Sequence, residues 1–161
     1  MTAHDGGGAL YPELGIPGLL RLARRPYRNA VRAALTEAGF DDVPRNGAYL
    51  LARVHDGRYA VADLTRGLGI SKQAVSQLVD TMVTRGYIER KPDAEDRRRM
   101  QLTLTPRGAA AATLSWQVAT QIDEELERRL SAAGVAALRS GLIALSEMGE
   151  DDPAHPDLEA D

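Results

Sequence analysis

From about Pro17 to Ala38 the apolar residues Leu19, Leu20, Ala23, Tyr27, Ala30, Val31, Ala34, Leu35 and Ala38 recur in steps of three and four. Such steps keep them on one face of a helix. Pro17 suits a first helical turn, where its missing N–H costs nothing, and Gly39 suits a stop. Pro26 falls inside the run, where proline can kink a helix. A second helix is expected in "RNGAYLLARV" after Pro44, ending at "HDG". "RYAV" reads as a possible short strand, and "ADLTRGLG" as a third, short helix.

The segment "GISKQAVSQLVDTMVTRG" predicts a fourth helix, with Ser71 as N-cap and Gly86 as the stop. The period then changes to two. "YIERK" alternates, and in "RMQLTLT" Met100, Leu102 and Leu104 share one face. The polar "PDAEDR" between them is turn-forming, so the pair reads as a hairpin with Arg97, Arg98 and Arg99 at its tip and on its returning strand. Pro106 opens a long helix to about Leu130, with an apolar line through Leu114, Val118, Ile122, Leu126 and Leu130. "AAGVAALRSGLIALSEM" is a sixth helix. Residues 1–16 are glycine-rich and polar and are expected to be flexible; 149–161, "GEDDPAHPDLEAD", are acidic and expected to be disordered.

On a wheel of 100° per residue, Ala74, Val75, Leu78, Val79 and Met82 fall on one side of the fourth helix. Gln73, Ser76, Gln77, Asp80 and Thr84 fall on the other. The first side is an ordinary core stripe. The second carries short amides and hydroxyls in place of the Lys and Glu that usually solubilise a helix. Glutamine can bond bidentately to the edge of adenine in the major groove, and serine can bond either partner. Leu64, Leu68, Ile70, Val75 and Leu78 would pack the third helix on the fourth across a turn at Gly69, which is the shape of a helix-turn-helix. With the arginine-tipped hairpin directly after it, the element reads as a winged helix. The expected fold class is therefore mainly α with a small β-hairpin: a winged helix-turn-helix. Its candidate DNA-contacting residues are Ser71, Lys72, Gln73, Ser76 and Gln77 on the helix and Arg97, Arg98 and Arg99 on the wing. Asp96, two positions from Arg98, is placed to hold that guanidinium by a charge-assisted bond.

Charge supports this picture although the net charge is only -3. Residues 1–44 are balanced, 45–107 carry +5, and 108–161 carry -8. A basic middle is a polyanion footprint hidden by an acidic end. The sequence contains no cysteine, which excludes thiol sensing and cysteine-based metal or cluster sites. With only His4, His55 and His155, far apart, no metal site and no cofactor are expected. No signal-like start and no run of about 18 apolar residues are evident, so no membrane span and a cytoplasmic location are expected. The first, fifth and sixth helices carry more apolar surface than one small winged helix can cover, which points to a two-fold homodimer and, with it, an inverted repeat in the DNA.

The run "DLTRGLGISKQAVSQLVDTMVTRGYIERKPDAEDRRRMQLTLTPRG", Asp63 to Gly108, closely resembles the MarR family of bacterial transcriptional regulators. The matching pieces are the helix-turn-helix, the "LVDTMVTRGYIER" passage, the wing "DAEDRRR" and the closing "LTLTPRG". With the flanking helices the resemblance covers roughly residues 17–148. It implies a single domain, with dimerisation helices at about 17–38 and 106–148 and a DNA-binding lobe at about 45–105. It implies a homodimer on a palindromic operator, usually a repressor, and often released by a small phenolic ligand held between the dimer helices and the lobe. Tyr27, Tyr49, Arg53 and Trp116 are candidates to line such a pocket, with plain packing as the simpler role for each. By resemblance, Asp96 and Arg98 fit the family's D-x-R wing pattern.

Two other readings stay open on the residues alone. One is a winged helix used only to bind protein. The other is an enzyme. For the latter, no glycine-rich phosphate loop follows a strand, and no nucleophile sits with a histidine and an acid. Asp123, Glu124, Glu125 and Glu127, beside Arg128 and Arg129, read as an exposed face.

Overall fold

The computed structural model describes residues 13–57, 59–92 and 100–148. Their order is α1 Ile16–Glu37, α2 Gly47–His55, α3 Val61–Leu68, α4 Lys72–Thr84, β1 Ile88–Pro92, β2 Met100–Leu104 and α5 Pro106–Glu147. The expected mainly helical chain with one antiparallel hairpin is what forms.

Helix α1 has Pro17 in its first turn, runs on through Pro26, and ends before Gly39 at φ 80°. Its apolar face lies along α5, and the Tyr27 hydroxyl donates to Asp123 Oδ1 at 2.5 Å. Helix α2 supplies the centre of the core: Leu50 and Leu51 are fully buried and Val54 nearly so. Around them close Leu64 of α3, Val75 and Met82 of α4, Tyr87 and Ile88 at the start of the hairpin, and Ala111 of α5. Burying each large member is worth about 1.5–3 kcal/mol, so this cluster holds the lobe together.

The short strand expected at "RYAV" does not form among the described residues. Tyr59 and Ala60 are irregular and Val61 already opens α3. A strand needs a ladder partner, but β1 and β2 pair only with each other, and Tyr59 packs on the core instead.

Helix α5 is broken at Ser131, whose φ of 69° and ψ of 163° lie outside helical space. The break falls where the sequence separates a fifth helix from a sixth. Ser131 Oγ accepts from the Gly134 N–H at 3.4 Å, a long cap for the second arm. On the first arm Leu114, Val118, Ile122 and Leu126 are half-buried. On the second, Leu138, Leu142 and Leu145 recur at i, i+4 and i+7 and are all exposed. Helix α5 also contains an 18-residue window of mean hydropathy 1.2, none of it buried, which by length and composition could cross a membrane. The window is interrupted by polar residues, so the expectation that no run of about 18 apolar residues occurs stands beside it. The mean is raised by the alanines and by the scattered Leu, Val and Ile of the helix.

Candidate nucleic-acid interface

The site starts with a turn. Gly69 adopts φ 63° and ψ 38°, a left-handed conformation that a side chain resists, and its N–H bonds to the Thr65 carbonyl at 2.9 Å. This closes α3 and redirects the chain. Two residues on, Ser71 is extended, and its Oγ accepts from the Ala74 N–H at 3.2 Å. That bond caps α4 and fixes where its first turn begins.

Capping sets the phase of α4. Val75 and Met82 are fully buried, Val79 nearly so, and Ala74 and Leu78 half-buried. Ser71, Lys72, Gln73, Ser76, Gln77, Asp80 and Thr84 are all exposed. The polar face read from the sequence is thus a free surface. Its N-terminal end carries the partial positive charge of a helix start, which favours phosphate. Lys72 adds a full charge there.

The wing is fixed to this helix. Arg90 of β1 pairs with Asp80 of α4 at 2.5 Å. Both groups are largely exposed, so the pair adds at most about 1 kcal/mol to stability. Its effect is orientation: it ties β1 to the middle of α4. Asp80 is thereby engaged and is less available to a base. The hairpin register pairs Ile88 with Leu104, Arg90 with Leu102 and Pro92 with Met100. Arg97, Arg98, Arg99 and Asp96 lie outside the described residues.

The base of the wing is held by a cluster that sequence reasoning missed. Tyr87 is fully buried, and its hydroxyl donates to Asp42 Oδ1 at 2.5 Å. The Arg107 guanidinium donates to the same carboxylate at 2.9 Å and stands 4.4 Å over the Tyr87 ring. Arg85 donates to the Asp42 backbone carbonyl, and Arg107 to that of Arg85. The Tyr87 hydrogen bond, then the Arg107 and Arg85 charges, hold the Asp42 carboxyl below its usual range against some desolvation. Burial first, then the bond to Asp42, pushes Tyr87 up to about 12. Thr105 completes the joint: its hydroxyl donates to the Gly86 carbonyl at 2.6 Å and accepts from the Gly108 N–H at 3.0 Å, capping α5. Nothing local in "TPRG" reveals that its arginine meets an aspartate 65 positions earlier.

Two clefts flank the lobe. One, of about 410 Å³, lies between α3, α4 and the wing, with Val61, Ser76, Asp80 and Met100 on its walls. The other, of about 550 Å³, joins the end of α5 to α2 and α3 through Ser146, Tyr49, Arg53, Asp63 and Arg66. Arg53 lies 5.9 Å from the Tyr49 ring centroid, and its Nε is buried without a hydrogen-bond partner. Of the four pocket candidates, Tyr49 and Arg53 come together here. Tyr27 is bound to Asp123 on α1's far packing face, and Trp116 stands 69% exposed on α5. Among the described residues no three His, Asp or Glu side chains converge to hold a metal.

A turn-capped helix with a free polar face, braced by a hairpin, defines a winged helix-turn-helix. Residues 42–99 match the MarR family model, the family that the passage from Asp63 to Gly108 resembles. The multiple antibiotic resistance protein MarR of Salmonella typhimurium is 34% identical over 77 residues, which are 47% of this chain and 54% of that protein. Its Escherichia coli K12 counterpart is 32% identical over the same shares. The match therefore spans about half the length of these relatives. Among solved structures, the reduced form of MarR from E. coli aligns at TM-score 0.61 and 23% identity, covering 82% of this chain and 96% of that one. FabT of Streptococcus pneumoniae, solved in complex with DNA, aligns at TM-score 0.67 and 20% identity, covering 84% and 96%. The fold is that of these winged-helix structures.

Proposed function

We propose that the protein is a sequence-specific double-stranded DNA-binding transcriptional regulator of the MarR type, not an enzyme. The observation that carries this is the exposed Gln73, Ser76 and Gln77 face of α4, held at a fixed angle to the wing by the Arg90–Asp80 pair. Amides on a rigid, capped helix suit the donor and acceptor edges of the major groove. Lys72 and the start of α4 meet phosphate, and Arg97, Arg98 and Arg99 reach the backbone or minor groove, with Asp96 ordering the wing. Two of the relatives' structures hold DNA: FabT, and a MarR variant from E. coli complexed with operator DNA.

The acting unit is a cytoplasmic homodimer on a palindromic operator, working as a repressor. A small aromatic or phenolic ligand fits the cleft of Tyr49 and Arg53, where an unpaired buried guanidinium nitrogen awaits an acceptor. The test is an electrophoretic shift with DNA from upstream of the protein's own gene against scrambled duplex. Preferential retardation of the upstream DNA is expected, and Arg97→Ala or Arg98→Ala should shrink the salt slope by about 1 per lost contact. Equal binding to both duplexes, or none, would leave a protein-binding module instead.

A further inference from the structure

Helix α1 carries a feature that DNA reading does not use. Arg21, Arg24, Arg25, Arg28 and Arg32 stand at i, i+3, i+4, i+7 and i+11. At 100° per residue they fall within an arc of about 100° on one face and extend over about 16 Å. All five are exposed, and among the described residues none has an ion-pair partner. The only acid on α1 is Glu37, at its last position. The opposite face is spent on α5. Like charges at these spacings repel, and nothing on the helix relieves them.

The compensating charge lies elsewhere in the chain. Residues 149–161 hold six acids, Glu150, Asp151, Asp152, Asp157, Glu159 and Asp161, and no Lys or Arg. We infer that this acidic segment docks along the α1 arginine stripe as an intramolecular polyanion. Reach permits it. The second arm of α5 lies beside α1, with Arg139 near enough to Tyr27 to act on its hydroxyl. From Arg139 to Met148 the helix advances about 13 Å. Thirteen further residues span up to about 43 Å at about 3.3 Å each. DNA phosphate would also suit five arginines. A tethered segment, however, is present at an effective concentration of the order of mM, and carries one acid for each arginine with one to spare. Docking there screens α1 from stray polyanions and leaves the basic lobe free.

The absence of native cysteine gives a clean test. In Ala160→Cys protein, a nitroxide on the single thiol should strongly broaden the amide signals of residues 21–32. The signals should recover at about 1 M salt, where the screening length is about 3 Å. They should also recover in an Arg24→Gln, Arg25→Gln, Arg28→Gln variant; if that variant does not fold, the salt titration decides alone. Undisturbed α1 signals would overturn the proposal. So would broadening centred on Gln73 to Gln77, which would make the segment a mimic of DNA on the lobe. So would perturbation of the stripe by random duplex in place of the label, which would make it a phosphate site.

Discussion

The carbonyl oxygen of Tyr87 stands where a side chain on residue 108 would begin: a Cβ built on Gly108 lies 1.9 Å from it. The contact is with backbone on both sides, so no rotamer change relieves it. It seats the first turn of α5 against the entry to the wing, directly beneath the Asp42, Tyr87 and Arg107 cluster.

Gly108→Ala is therefore expected to cost at least the 1–3 kcal/mol typical of overpacking, because backbone must move. For a chain of this size that lowers the melting temperature by roughly 2–4 °C per kcal/mol. Thermal denaturation followed by circular dichroism measures it. An unchanged melting temperature would mean that α5 and the wing are not so closely joined.

The pH dependence of stability follows from the same joint. Asp42 is depressed when folded, chiefly by the Tyr87 hydrogen bond. Such a group contributes fully above its ordinary value of 3.8, and its contribution is lost as pH falls from there through its lower folded value. Tyr87 is the opposite case. It is raised from 10.0 to about 12, so its contribution is full below pH 10 and is lost as pH rises towards 12. Tyr27, raised to about 12 by burial and its bond to Asp123, adds to the alkaline limb. Denaturant titrations across pH should show both limbs. Asp42→Asn should flatten the acid limb, and Tyr87→Phe the alkaline one. A variant with unaltered limbs would assign the titration to other groups.

How much of this was legible in sequence depends on distance along the chain. Ser71 and Gly69 announce their roles locally, because a cap and a left-handed turn depend on residues within one helical turn. The phase of α4 followed from its own periodicity, and Val75, Val79 and Met82 are buried as that period requires. Even the division of the last long helix at Ser131 was readable. Asp42 was not, since its meaning comes from Tyr87 and Arg107, 45 and 65 positions away. Asp80 lies on the outward polar face as the wheel placed it, but its pairing with Arg90, ten positions on, was not legible locally. "RYAV" has strand-like residues, yet a strand is decided by its partner.

The recognition face gives a third prediction. Gln73→Ala and Gln77→Ala remove exposed side chains that support no core residue, so stability should change by less than about 0.5 kcal/mol. A glutamine that reads a base should cost roughly 1–3 kcal/mol on the preferred site and little on random DNA. Fluorescence anisotropy with both duplexes separates these effects. Equal losses on the two would show that neither residue reads sequence.

The second arm of α5 bears on assembly. Leu138, Leu142 and Leu145 form an exposed stripe, and Ile143, Leu130, Ile16 and Leu19 are exposed as well. Covering one such leucine is worth about 1.5–3 kcal/mol, so a partner that buries several gains a large driving force. A second copy is the partner that the proposed palindromic operator requires, since a two-fold protein demands a two-fold site. Light scattering is expected to give twice 17.4 kDa. Leu138→Glu with Leu142→Glu should place charges in that contact and give a monomer that keeps its α3–α4 lobe, with operator binding sharply reduced. Inserting about 5 bp between half-sites should likewise abolish binding by the parent protein, because half a turn carries one half-site to the far side of the duplex. A parent protein that runs as a monomer, or a double variant that remains dimeric, would assign this stripe to some other partner.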